Sequence, residues 1–311
     1  MVQGVERVQG VESVQGALPT DGPVTAVGLP ATPLRRHVLD YRGYRMDLDR
    51  PRRRLEVPTD VVTVALAFEG TMRLTDAVSL APGSSFGSIA AGLRRTATIA
   101  EHAGVLHGLA VSFTPQGAFR AFGPVAGELG GQWADAGEVL GPQLGRLAAR
   151  LADAPTWRAR FALLDGYFTA LLADGPVWEP DVVWAWHQLR RSRGLVPVRA
   201  LVEGTGWSRR RLEQRFREQL GLAPKQAAGI LRLQRTLRLL TAPDGRFAPA
   251  DLATLCGYYD QSHLDRTFRG MVGCSPREFL ASRRAAAATD PEPPDRVVGR
   301  ITSAVLDADP S

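Results

Sequence analysis

The chain has little cysteine and almost no lysine. Its 311 residues include two cysteines, Cys256 and Cys274. That number excludes a disulfide scaffold, and neither cysteine has a partner at metal-ligand spacing, so no metal site is expected and a reducing compartment is. Lys225 is the sole lysine among 38 basic residues, a bias that reflects a GC-rich genome more than a physical demand. No apolar run approaches the roughly 20 residues of a membrane span, and no secretory h-region follows the amino terminus. The expectation is a soluble, cytoplasmic protein with no membrane contact. With 44% hydrophobic content, a chain of this length buries two sizeable cores.

What is present is a repeat. LEQRFREQLGLAPKQ at 212–226 recurs as LDRTFRGMVGCSPRE at 264–278, a constant offset of 52 residues. Leu212 matches Leu264, Phe216 matches Phe268, Gly221 matches Gly273 and Pro224 matches Pro276. Apolar anchors four apart, followed by a glycine and a proline, predict a helix, a stop and a new helix. A shorter helical pattern precedes each copy, at 198–202 and 250–255, so two helix-turn-helix units stand in series.

Charge follows the repeat. Residues 190–284 hold 18 Arg and one Lys against eight acidic residues, a net +11, while the whole chain carries +6 and the remainder therefore −5. Such segregation is expected if this part sits on a polyanion and the rest has another task.

Outside the repeat, residues 1–33 open on VQGVER, VQGVES, VQG, low-complexity sequence read as a disordered tail. From 34 to 135 the period changes to two. Tyr44, Met46 and Leu48 alternate with Arg45 and Asp47, and residues 105–113 alternate likewise, as half-buried strands do. Frequent glycines favour an antiparallel sheet, barrel-like or sandwich-like, over parallel units. Residues 136–193 recover helical spacing, for example Trp157, Phe161, Leu164 and Phe168. They are read as a connector covering the sheet, with a dimer interface as the alternative. Residues 194–284 form the repeat, and 285–311 are read as a flexible tail. The fold class is α+β, with a β-rich amino-terminal domain, a helical connector and an all-α carboxyl-terminal domain.

The segment GYYDQSHLDRTFR at 257–269, followed by GCSPREF at 273–279, resembles the AraC/XylS family of bacterial transcription regulators. So does GWSRRRLEQRFR at 206–217, with RLQR at 232–235. The resemblance covers about a third of the chain. It implies a seven-helix domain in which a central helix joins two helix-turn-helix units. Residue chemistry agrees, since Ser208 and Asp260 stand where N-caps open each recognition helix, and Ser275, Pro276 and Glu278 make a capping-box pattern. The equivalent position in the first copy is Ala223, which lacks a capping hydroxyl and costs the start of the linker helix about 1 kcal/mol. A linker helix from Pro224 to Leu240 spans roughly 25 Å. It thereby holds the recognition helices about one DNA turn apart, near 34 Å.

With Leu212 and Phe216 inward, the resemblance puts Arg210, Glu213 and Gln214 at base-facing positions of the first unit. It does the same for Gln261, Ser262 and Arg266 in the second. Arginine grips guanine O6 and N7, and glutamine pairs with adenine N6 and N7. Arg209, Arg211, Arg215, Arg217, His263 and Arg269 are assigned to the phosphate backbone, which gives affinity without sequence information.

The amino-terminal domain of such regulators commonly binds a small effector or mediates dimerisation. Tyr41, Tyr44, Phe68, Phe86 and His107 are candidate pocket residues, equally explained by core packing. His37, His102, His107 and Glu101 do not reproduce a metal-ligand set, and no cofactor is expected. The favoured reading is a non-enzymatic transcription regulator, an activator or a repressor, whose partners are double-stranded promoter DNA, RNA polymerase, a small-molecule effector and a second copy of the chain. A DNA alkyl-transfer enzyme wants a zinc-bound cysteine cluster that this sequence lacks. An architectural DNA-binding protein predicts a solid amino-terminal core without a cavity.

Overall fold

The computed structural model describes residues 6–7, 24–242, 247–289, 295–298 and 300–305. Its strands are β1 (Glu6–Arg7), β2 (Val24–Gly28), β3 (Val38–Glu56), β4 (Val62–Glu69), β5 (Met72–Asp76), β6 (Ser84–Phe86), β7 (Ile89–Ala91), β8 (Thr98–Phe113), β9 (Trp133–Asp135), β10 (Asp295–Val297) and β11 (Arg300–Val305). The helices before the repeat are α1 (Pro115–Phe122), α2 (Val125–Glu128), α3 (Ala136–Leu140), α4 (Gln143–Asp153), α5 (Trp157–Ala173) and α6 (Pro180–Arg191). Within it are α7 (Val198–Thr205), α8 (Arg209–Leu220), α9 (Pro224–Leu240), α10 (Pro249–Leu255), α11 (Gln261–Val272) and α12 (Pro276–Thr289).

A long antiparallel ribbon of β3 and β8 forms the spine of the sheet, running from Val38 opposite Phe113 to Glu56 opposite Thr98. The register shifts between Leu48 and Arg52, and a shift of that kind bends and twists a ribbon. The near half of β8 pairs with β4 and the far half with β5, so the sheet curls without closing. Period-two alternation then sends neighbouring side chains to opposite faces. Tyr41, His107 and Phe68 face a helical layer, where Tyr41 stacks on Phe161 and His107 meets both Phe68 and Trp157 edge-on. Arg42, Tyr44 and Met46 face the concave side. Gly43 is required because a Cβ there would collide with the Trp157 ring.

The apolar stripes of the connector pack onto this sheet. Leu144, Leu147 and Leu151 of α4, and Phe161, Leu164 and Phe168 of α5, are buried in one core with Val38, Leu109 and Phe113. The same core continues into α7, α8 and α9 through Leu201, Leu212, Phe216 and Leu231. Helix α6, read as part of the connector, packs on α7, α8 and α9.

Both ends of the chain differ from expectation. Residues 24–28, read as part of a disordered tail, form a strand paired to β3 from Val24 opposite Arg45 to Gly28 opposite Tyr41. The cause is fit, since Ala26 is buried and Gly28 leaves room for Phe161. The hexapeptide repeat itself lies outside the described residues, apart from Glu6 and Arg7. Residues 295–305, read as a flexible tail, form a hairpin whose β11 pairs with the far end of β3. Val297, Ile301 and Ala304 are buried there. Pairing covers a strand that would otherwise expose an open edge.

Candidate nucleic-acid interface and effector cavity

The two helix-turn-helix units are built by the same local devices. Helix α7 ends at Gly206 in the left-handed region, with φ +66°. The Ser208 side chain then accepts a hydrogen bond from the Arg211 amide and opens α8. In the second unit the Asp260 carboxylate accepts from the His263 amide at 2.7 Å and opens α11. Left-handed Gly221 and Gly273 end the two recognition helices, because only glycine adopts that conformation without steric cost. Leu212 and Phe216 point into the core, as do Leu264 and Phe268.

The outward faces carry the expected residues. Arg209, Arg210, Gln214 and Arg217 are exposed on α8, with Glu213 half-buried, and Gln261, Ser262, Arg266 and Arg269 are exposed on α11. Charges on α8 pair among themselves. Arg209 and Arg217 reach Glu213 at 3.0 and 3.4 Å. The Arg209 hydrogen bond holds the Glu213 carboxyl below the usual carboxylate range. Gln214 donates to Glu218 at 2.8 Å, and Arg211 lies over the Trp207 ring at 4.5 Å.

Two residues assigned to the phosphate backbone are held elsewhere. Arg215 is pinned between Glu218 at 2.7 Å and Glu179, at the start of α6, at 3.1 Å, a tie between helices. His263 accepts the Tyr259 amide through Nδ1 and sets its ring edge-on to Tyr258, which orders the turn. Arg269 reaches Glu278 at 3.3 Å. The Ser275–Glu278 capping box is made in both directions, with the Ser275 amide donating to Glu278 and the Glu278 amide to Ser275 Oγ. These bonds depress the Glu278 carboxyl to about 2. At the start of α9 only half a box exists, the Ala223 amide donating to Gln226 Oε1 at 2.9 Å. Burial pushes the Cys256 thiol up and the Cys274 thiol up to about 11, so neither is a nucleophilic thiolate at neutral pH.

The concave face of the sheet encloses a cavity of about 330 Å³. Of the five candidate pocket residues, only Tyr44 lines it. Tyr41, Phe68 and His107 face the helical layer instead, Tyr41 donating to Asp165 at 2.9 Å. Phe86, opposite Met72 on the paired strands, packs against the wall residues Leu74, Ile89 and Ala100 but does not itself line the cavity. Strand parity is the reason for Tyr41, Phe68 and His107, because residues an odd number of positions apart project to opposite faces. The cavity is lined by Arg42, Arg52, Arg54, Arg94, His102 and Trp133, none of which was a candidate. Charged residues at alternate positions 42, 52, 54 and 56 are a readable signal for an inward polar face.

Residues 201–282 match a family described as helix-turn-helix domain. This part of the chain is an AraC-type helix-turn-helix domain. A search of curated proteins finds no match. Among solved structures the chain is similar to unsaturated fatty acid-bound ToxT from Vibrio cholerae, at 13% identity and TM-score 0.39, covering 78% of this chain and 95% of that one. It is similar to the DNA-binding domain of AdpA in complex with a target DNA, at 26% identity and TM-score 0.32, covering 37% and 100%. It is also similar to the AraC-like transcriptional activator CuxR, at 13% identity and TM-score 0.21, covering 86% and 87%. The AraC-type domain makes this a DNA-binding transcription regulator. Among the described residues no helix is long and apolar enough to cross a membrane.

Proposed function

We propose that the protein is a one-component regulator that reads promoter DNA with α8 and α11 and senses a small molecule in its sheet domain. The observation that carries the reading is the pair of N-capped recognition helices, each presenting an exposed polar face from a shared architecture. Arg210, Glu213 and Gln214 read bases in one major groove, and Gln261, Ser262 and Arg266 read them in the next. Arg209, Arg211, Arg217 and Arg269 hold phosphates. RNA polymerase and a second copy of the chain are further partners of this reading.

An architectural protein without a ligand requires a solid amino-terminal core, and the cavity speaks against that alternative. The route from cavity to DNA is short. Gln234 of the linker helix α9 donates to the carbonyls of Pro58 and Ile301, both at 2.8 Å, and accepts from the Ile301 amide at 3.1 Å. Pro58 lines the cavity, as do Val297 and Thr302 on either side of Ile301. An effector that favours one arrangement of these walls shifts α9, and with it the recognition helices, by its differential affinity.

The test is fluorescence anisotropy of the purified protein on the DNA upstream of its own gene and on random DNA, across a salt series. A preference that survives rising salt supports sequence reading. Equal, steeply salt-sensitive binding to both DNAs contradicts it.

A further inference from the structure

The two helix-turn-helix units differ in one residue of their turns, and the difference exposes a side chain on the face read as the DNA interface, an inference that rests on that reading. In the first unit a single residue, Trp207, separates left-handed Gly206 from the cap Ser208. In the second, two residues, Tyr258 and Tyr259, separate left-handed Gly257 from the cap Asp260. An apolar residue before an N-cap commonly packs on the fourth residue of the helix and fixes the angle at which the chain enters it. Trp207 lies against the core that holds Leu212, and the Arg211 guanidinium covers its ring at 4.5 Å. In the second unit that place is taken one residue early. Tyr258 is 5% exposed and is buried with Leu264, its ring edge-on to His263 and facing the Arg232 guanidinium at 5.9 Å. The extra residue leaves Tyr259 turned outward, 91% exposed and outside every apolar cluster among the described residues.

A lone exposed apolar side chain on an open surface needs no account, but the setting of Tyr259 is particular. It directly precedes Asp260 and stands two residues before Gln261, the first of the exposed side chains assigned to bases on α11. Its backbone is already fixed, because its amide donates to His263 Nδ1 at 3.2 Å and the Asp260 carboxylate accepts from the His263 amide at 2.7 Å. Holding the backbone in advance lowers the entropy lost on binding. Lying before the cap, Tyr259 is outside the helix that fills a major groove, and the sugar-phosphate backbone is what borders that groove. A phenol suits the border, with an apolar ring for the deoxyribose and a hydroxyl that donates to a phosphate oxygen. We propose that Tyr259 grips the DNA backbone at the edge of the groove entered by α11, its hydroxyl donating to a phosphate. The contact brings no positive charge and displaces no counterion, so it adds affinity without salt dependence. The arginines assigned to phosphates contribute to both.

Tyr259→Phe removes only the hydroxyl from a solvated ring. Its binding to the DNA upstream of the protein's own gene and to random DNA is followed by fluorescence anisotropy across a salt series. Affinity for both DNAs is expected to fall about tenfold, the share of a hydrogen bond to a charged group, with the slope of log affinity against log salt unchanged. In a second measurement the full-length protein is nitrated with tetranitromethane, free and saturated with the upstream DNA, and the modified residue is located by peptide mapping. Of the five tyrosines, Tyr41 and Tyr258 are buried and Tyr44 and Tyr167 half-buried, so Tyr259 is expected to react first and to be protected in the complex. Unchanged affinity in Tyr259→Phe, or nitration of Tyr259 as fast in the complex as in the free protein, overturns the contact while base reading by α11 stands. A loss confined to the upstream DNA makes Tyr259 a base-reading residue and overturns the phosphate assignment. Equal, steeply salt-sensitive binding by the unmodified protein contradicts base reading, and a tenfold loss in Tyr259→Phe on both DNAs then still supports the contact. Absence of binding to either DNA overturns both.

Discussion

Arg266 and Arg217 show how one residue type, set on the two recognition helices, divides reading from holding. Arg266 is exposed on the outer face of α11, three residues beyond His263, where a guanidinium can grip a guanine in two hydrogen bonds. Arg266→Ala is expected to relax preference at one base position by about 1–3 kcal/mol while non-specific binding persists. Affinities measured on single-base operator variants decide it, and an equal loss on operator and random DNA would make Arg266 a phosphate contact. Arg217 stands on the opposite side of this division. Its removal in Arg217→Ala is expected to lower the slope of log affinity against log salt by about one phosphate's share and to leave the preferred sequence unchanged.

Glu278 acts on folding. Its carboxyl ordinarily titrates near 4.5 and is depressed to about 2 in the folded protein by the Ser275 amide and hydroxyl and by Arg269. The folded state therefore binds the proton more weakly than the unfolded state. The contribution is fully present above about 4.5 and is lost as pH falls towards about 2. Thermal melts of the protein and of Glu278→Gln should differ at neutral pH and converge across that window. A constant difference down to pH 2 would contradict the assignment.

At the scale of elements, the linker helix α9 is the informative case. Its bounds, Pro224 to Leu240, were legible because proline can open a helix and the apolar residues repeat at helical spacing. Its cap was legible too. Ala223 has the extended backbone of an N-cap, with φ −70° and ψ 155°, but makes no side-chain cap bond. Ala223→Ser is expected to raise stability by about 1 kcal/mol, read from denaturant midpoints at constant m-value. No gain would mean that the Gln226 bond already satisfies this helix end. The strands were legible as strands, through period two, but not in their facing. Tyr41 and Tyr44 look equivalent in the sequence, and parity sends one to Phe161 and the other to the cavity. The terminal strands were not legible at all, because β2 and β11 are short and owe their form to pairing with distant β3.

Across the whole molecule, the AraC-type domain does not hang from the sheet domain by a linker but shares its core. Leu233 and Leu237 of α9 and Phe268 of α11 are buried with Leu55 and Val57 of the sheet domain and with Ile301 of the terminal hairpin. Trp178 donates through its indole to the Gln219 carbonyl at 3.1 Å. Gly130 and Gly221 approach so closely that a Cβ on either would meet the other's backbone. Arg300 is paired with Asp60, beside the hairpin. Gln234 ties α9 to both cavity walls, and Gln234→Leu leaves the Pro58 carbonyl and both Ile301 groups without those bonds. The variant is expected to lose about 1–3 kcal/mol of stability and, in DNA-binding titrations, to show a weaker response to a cavity ligand. An unchanged response in a destabilised protein would place the coupling elsewhere.

By itself the sequence determined the two helix-turn-helix units, their caps and their outward faces, since these follow from contacts within about a dozen residues and from the 52-residue repeat that states them twice. It also determined that the amino-terminal part would be β-rich. Only the tertiary structure decided which strand face is hollow, that Arg52, Arg54 and His102 meet there, and that the chain's last described strand returns to close the far end of β3. Those outcomes depend on partners up to some 250 residues away, as Arg54 and Ser303 are, and pairing at that distance is set by the competition of whole surfaces for burial, which no local pattern records.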